Sequence, residues 1–157
     1  MKAIAVNDSR VQCLRRVGRR GLAGAVIEGA MASASPFVAV IDGDMQHDEK
    51  LLPAMFSALR EDRADLVIGS RFLQADGLDK GLSRVRKAGS RSAAWLGRKA
   101  LGAAVSDPVS GFFMIRRDLI EQVAPKLSTD GFKVLFDIIA SQGTPPRILE
   151  MSYAFRE

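Results

Sequence analysis

The stretch FVAVIDGDMQH, residues 37–47, decides the fold. Its first part, 37–41, is continuously apolar and rich in β-branched residues, the pattern of a strand buried on both faces of a parallel sheet rather than one wet on alternate positions. The run stops at Asp42, and a second carboxylate, Asp44, follows after a single glycine. Carboxylates therefore stand at the carboxyl end of a buried strand, which is where open α/β sheets bind their ligands.

Upstream of this stretch, 11–14 predicts a short strand, the arginine- and glycine-rich 15–21 a loop, and the segment through 34 a helix. Downstream, a helix over 49–59 leads to DLVIG (65–69), a second short buried strand that ends at Ser70 and Arg71. Two right-handed crossovers are implied, and they bring Asp42, Asp44, Ser70 and Arg71 to one end of the sheet. Farther on, 72–81 reads as a loop, 83–101 as a helix, 107–111 as a turn, 112–115 as a strand, 119–123 and 132–141 as helices, and 148–155 as a last strand. There is no internal repeat, no linker and no second domain.

A chain of 157 residues that is 47% hydrophobic and 26% charged has the composition of one ordinary globular domain, which excludes disorder. The formal charge of +5 calls for an anionic partner: a phosphate, a nucleic acid or a membrane surface. Between Lys80 and Ser106 there is no acidic residue, while Lys80, Arg84, Arg86, Lys87, Arg91, Arg98 and Lys99 are all basic. With Val85, Ala88, Trp95 and Leu96, they make the helix over 83–101 basic and amphipathic, suited to an anionic lipid surface. Nucleic acid is the weakest partner, because a single Trp and a single Tyr offer no stacking platform. No apolar run approaches the roughly 18 residues of a membrane span, and the first ten residues lack a signal pattern, so a cytosolic or peripheral chain is expected. The single cysteine, Cys13, lies between Val11 and Leu14 and is expected to be a buried thiol.

An Asp-x-Asp at a strand end can place its oxygens on one divalent cation and, through it, on a diphosphate. A bare Asp-x-Asp is more often a solvated turn in which the first aspartate caps the next helix. The apolar run before Asp42 and the presence of Gln46 favour the ligand reading. A phosphatase of the haloacid dehalogenase type has Thr or Val where this chain has Gln46, and is disfavoured. His47, the only histidine, is expected to serve the turn rather than acid-base chemistry.

Taken together and in order, GRRGLAGAVIEGAMAS (18–33), VAVIDGDMQHDEKLL (38–52), DLVIGSRF (65–72) and DPVSGFFMIRRDLI (107–120) resemble the family 2 glycosyltransferases of the polyprenyl-phosphate (dolichol-phosphate mannose synthase-like) group. The resemblance implies an α/β fold of the Rossmann-like GT-A type, a mostly parallel sheet with flanking helices. It implies a single domain over 1–157, truncated at the N-terminus, where that group carries two further strands and the residues that hold base and ribose, and incomplete at the C-terminus as well.

The activity implied is inverting transfer of a hexose from GDP-mannose or a UDP-hexose to a polyprenyl phosphate at the cytoplasmic face of a membrane. Asp42, Asp44 and Gln46 match the ligands of Mg²⁺ or Mn²⁺ and of the donor diphosphate. Arg71 matches the arginine that opens the acceptor loop, Arg86 and Ser90 a pair that grips phosphate, and Arg156 a C-terminal arginine reaching the same place. Asp44, Arg71 and Arg86 are thus the expected catalytic residues, and Asp107 is expected to orient an arginine. No general base is needed, since a phosphate monoester oxygen is already anionic. The alternative is a non-catalytic peripheral module that binds membrane or prenyl phosphate and has lost donor binding. Nucleotide sugar, polyprenyl phosphate and membrane surface are the expected partners, together with a second copy of the chain or a membrane protein. The isolated chain is expected to be a poor or inactive enzyme.

Overall fold

Residues with continuous apolar runs become strands of one sheet. In the computed structural model, which describes residues 2–18, 21–71, 73, 105–129, 131 and 133–153, strands β1 (Phe37–Val40), β2 (Leu66–Ser70), β3 (Phe113–Arg116) and β4 (Ile148–Ser152) lie in the order β1-β3-β2-β4. Strand β2 is buried at every position, as DLVIG predicts. The helices are α1 (Lys2–Asn7), α2 (Leu22–Met31), α3 (Leu52–Arg60), α4 (Arg117–Val123) and α5 (Val134–Ser141).

Alternation along β2 and β3 sorts the core into two layers. Leu66, Ile68, Phe113 and Ile115 face α2, α4 and α5, where they pack with Ala30, Ile120, Leu135 and Ile138. Val67 and Met114 face the other way, onto Met55, Ala58 and Leu59 of α3. Helices thus cover both faces of the sheet, the three-layer α/β arrangement expected from the sequence. Helix α3 starts where Pro53 can sit in a first turn without losing a hydrogen bond, after a short 3₁₀ turn capped by the Asp48 carboxylate on the Lys50 amide.

The sheet is mixed, not mostly parallel. β2 and β4 pair in parallel, but β3 inserts antiparallel between β1 and β2, so two of the three pairings are antiparallel. The strands on either side of the predicted crossover are therefore not neighbours. β1 is an edge strand, half-buried with Ala39 exposed, rather than a strand covered on both faces. Residues 11–14 form no strand and are largely exposed, and a helix, α1, precedes them. An apolar pattern only four residues long specifies no pairing partner, and outside the sheet it has nothing to bury against. Cys13 is consequently exposed. The loop over 74–81, the helix over 83–101 and the end of the last strand beyond 153 lie outside the described residues.

Every strand presents one end to the same side of the molecule. The segment after β1 (41–47), the end of β2 (Ser70 and Arg71), the turn before β3 (105–112) and the end of β4 (Tyr153) meet there. At the opposite end, Asp62 and Asp65 are clamped by Arg116 and Arg147.

Candidate functional site at the strand ends

The acidic segment is a tight turn. Asp44 Oδ1 accepts the amide of Gln46 at 3.1 Å, and Met45 between them holds a left-handed backbone with φ of 64°. A methionine at positive φ is uncommon, so the local fold spends conformational energy to turn the chain there. The result leaves Asp44 exposed, Gln46 half-buried and His47 buried. Asp48 caps the following 3₁₀ turn, so the capping role open to Asp42 in the sequence is filled by another residue.

Asp42 has two close neighbours. Its Oδ2 lies 3.4 Å from His47 Nε2. Its second neighbour is Gly111, where a Cβ would come within 2.6 Å of the Asp42 Cγ, so a larger residue there would displace the carboxylate. His47 in turn lies 2.6 Å through Nδ1 from the hydroxyl of Tyr153, and both rings pack on Phe112 with centroids 5.3 and 5.4 Å away. The Tyr153 hydroxyl is pushed up to about 12, first by burial, then by the negative charges of Asp107, Asp42 and Asp44, with Arg71 opposing them. One hydroxyl feels all four of these groups, which marks how closely the strand ends converge.

The phosphate-binding arginine proposed from sequence is also supported from below. Arg71 donates through Nε to Asp107 Oδ2 at 3.2 Å, and Asp107 is fully buried. Burial raises the Asp107 carboxyl above its ordinary value against the pull of Arg71. The expectation that Asp107 orients an arginine is met.

The turn that carries Asp107 is fixed by Glu150 on β4, whose Oε1 accepts from the Ser106 hydroxyl at 2.7 Å and its amide at 2.9 Å. Ser70 joins the same network through the Ser106 hydroxyl at 2.6 Å. Ser110 donates to the Gly69 carbonyl at 2.8 Å and accepts the Phe112 amide at 3.1 Å, closing the turn on the end of β2.

Asp42, Asp44, Gln46 and Arg71 therefore meet at one rim as the sequence suggests. Arg86, Ser90 and Arg156 lie outside the described residues. The supports that sequence reasoning missed are Tyr153, Ser106 and Glu150, and the part played by His47 in holding Asp42. Among the described residues no cluster of three or more His, Cys, Asp or Glu side chains could enclose a metal ion. The two rim carboxylates and the Gln46 amide are hard oxygen donors, and they fit a Mg²⁺ or Mn²⁺ ion that takes its other ligands from phosphate and water.

A three-layer α/β sheet that gathers two carboxylates and a buttressed arginine at its strand ends defines a Rossmann-like domain with its polar groups where such sheets bind ligands. The chain belongs to glycosyl transferase family 2, whose model matches residues 1–124. It is 33% identical over 147 residues to a dolichol-phosphate mannosyltransferase of Pyrococcus furiosus, covering 92% of this chain and 40% of that one. It is 29% identical to the enzyme of the same name from Saccharomyces cerevisiae, covering 93% of this chain and 54% of the relative. The chain thus spans about half the length, or less, of these curated relatives. Among solved structures it is similar to the glucosyl-3-phosphoglycerate synthase of Mycobacterium tuberculosis in complex with UDP, with a TM-score of 0.57, 18% identity, and coverage of 90% of this chain and 48% of that one. That likeness places the fold in the GT-A class.

Proposed function

We propose that this chain carries the diphosphate- and acceptor-gripping part of an inverting hexosyltransferase, which moves a sugar from GDP-mannose or a UDP-hexose to the phosphate of a polyprenyl carrier. The observation that carries the reading is the convergence of Asp42, Asp44 and Arg71 around the Tyr153 hydroxyl at the strand ends, in a chain similar over nine-tenths of its length to dolichol-phosphate mannosyltransferases.

In this reading Asp42, Asp44 and Gln46 would hold Mg²⁺ or Mn²⁺, and the ion would supply positive charge against which a nucleoside diphosphate can leave. Arg71, its guanidinium steadied by Asp107, holds the acceptor phosphate in line with the sugar. An acceptor oxygen forms the new bond to the anomeric carbon as the bond from that carbon to the diphosphate breaks, and the electron pair leaves with the nucleoside diphosphate. The attacking oxygen is already anionic, so the described site needs no base. Arg86, Ser90 and Arg156 are proposed to complete the phosphate grip, with Arg86 joining Asp44 and Arg71 as the catalytic set.

The basic segment from Lys80 to Lys99 is proposed to rest the protein on the cytoplasmic face of a membrane. No helix among the described residues is long and apolar enough to cross one. The test is calorimetric titration with GDP-mannose and UDP-glucose, each with and without Mn²⁺, alongside transfer to a short prenyl phosphate. Mn²⁺-dependent donor binding is expected. Prenyl phosphate binding with no response to either donor would favour the non-catalytic module instead.

A further inference from the structure

We propose that His47 and Tyr153 are positioning residues for Asp42, a two-step hydrogen-bonded relay that fixes the orientation of its carboxylate from beneath the rim. The purpose of this relay rests on the metal and diphosphate reading of Asp42 given above.

The strand before Asp42 does little to lock its side chain, because β1 is an edge strand and Ile41 is 41% exposed. What locks it comes from elsewhere in the chain. A carboxylate can only accept, so the hydrogen at the 3.4 Å contact belongs to His47 Nε2. In the neutral ring Nδ1 then lacks a hydrogen and accepts from the Tyr153 hydroxyl at 2.6 Å. Tyr153 therefore selects the tautomer that points a donor at Asp42, much as second partners of ligating groups fix orientation in metal sites.

The imidazole cannot swing away, since it is 95% buried, its relative exposure being 5%, and it stacks against Phe112 and Tyr153. The backbone at Gly111 also crowds the carboxylate, since a Cβ there would come within 2.6 Å of its Cγ. Asp44 has a different character: it is exposed and, among the described residues, braced by the amide of Gln46 alone. The pair thus consists of one fixed oxygen donor and one adaptable one. Fixing a ligand in advance reduces the ordering left for the moment of binding.

The test has two readouts. As the only histidine, His47 gives one set of imidazole ¹⁵N signals, and these report the tautomer with no metal present. Wild type is expected to hold the proton on Nε2, and Tyr153→Phe, which keeps the ring and loses only the hydroxyl, to show a mixture of tautomers. Mn²⁺-dependent GDP binding is expected to weaken about 10-fold in Tyr153→Phe, the lower end of the range for second partners of metal ligands. His47→Gln, whose amide can still donate toward Asp42, should lose less than His47→Ala. In an Asp42→Asn background, Tyr153→Phe should cost nothing further, whereas a purely structural role would add in full.

Thermal unfolding of each variant separates misfolding from misplacement. A wild-type proton on Nδ1, unchanged affinity in Tyr153→Phe, or full additivity overturns the relay. An Nε2 proton in wild type together with undiminished Mn²⁺-dependent binding in Asp42→Asn overturns instead the metal reading of Asp42.

Discussion

Arg71 brings both Nε and Nη2 to within 3.2 Å of a single oxygen, Oδ2, of the fully buried Asp107. The contact orders the arginine but leaves the carboxylate with a raised proton affinity, because burial outweighs the attraction of the guanidinium. Between the ordinary value of 3.8 and the raised one, the folded chain binds more protons than the unfolded chain, so this group's contribution to stability falls as pH rises through that window. Asp107→Asn cannot ionise. Its melting temperature at pH 7 is expected to equal or exceed that of wild type, with any gain shrinking toward pH 4, while binding of prenyl phosphate weakens as Arg71 loses its brace. A larger loss of melting temperature at pH 7 than at pH 4 would reverse the sign of this argument.

The far end of the sheet behaves oppositely. Arg147 donates to both oxygens of Asp65, at 2.7 and 2.9 Å, and holds that carboxyl down at about 2. A depressed carboxyl stabilises the fold above its unfolded value and loses the effect as pH falls from about 4 to about 2. Because Arg147 is half-exposed, screening reduces the contribution to about 1–2 kcal/mol. Asp65→Asn should melt roughly 2–6 °C lower at pH 7 and match wild type near pH 2. Circular dichroism melts across that range decide it.

Asp44 is exposed at the rim and supports a ligand more than a core. Asp44→Ala is therefore expected to melt within about 1 °C of wild type, as surface changes commonly do, yet to lose Mn²⁺-dependent nucleotide binding at least about tenfold. Retention of that binding would take Asp44 out of the site.

Two glycines next to site residues should respond differently to alanine. A Cβ at Gly69 would lie 2.6 Å from the Phe112 ring, whereas one at Gly43 meets nothing within 4 Å. Gly69→Ala is expected to cost about 1–3 kcal/mol by overpacking. Gly43→Ala, between the two aspartates, should stay within about 0.5 kcal/mol of wild type. Denaturant titrations of the two variants provide the comparison.

The strands at 37–40, 66–70 and 113–116 were legible because each is a short apolar run closed by a charge or turn, and burial demands such runs. Their neighbours were not. Whether β3 lies beside β1 or beyond β2 depends on pairing across residues 41–112, and an apolar run looks the same in either ladder. The apparent strand at 11–14 failed for the complementary reason: its pattern is local, and no partner strand among the described residues receives it. At the site, Asp42, Asp44 and Arg71 were visible because carboxylates and arginines at strand ends carry their chemistry in their side chains. The contribution of His47 was hidden because it rests on Tyr153, 106 residues away. Glu150 was hidden likewise, being an acidic residue in a strand whose partners lie 43 and 44 residues upstream.

Tyr153 is the only tyrosine in the chain, so its spectrum belongs to a single hydroxyl. That hydroxyl ionises only near about 12 and registers the charges of Asp42 and Asp44. The protein therefore carries its own indicator dye beneath the acidic turn. Neutralising either aspartate, or placing a cation between them, should draw the onset of the tyrosinate absorbance toward lower pH, giving an optical record of what occupies the rim without any label.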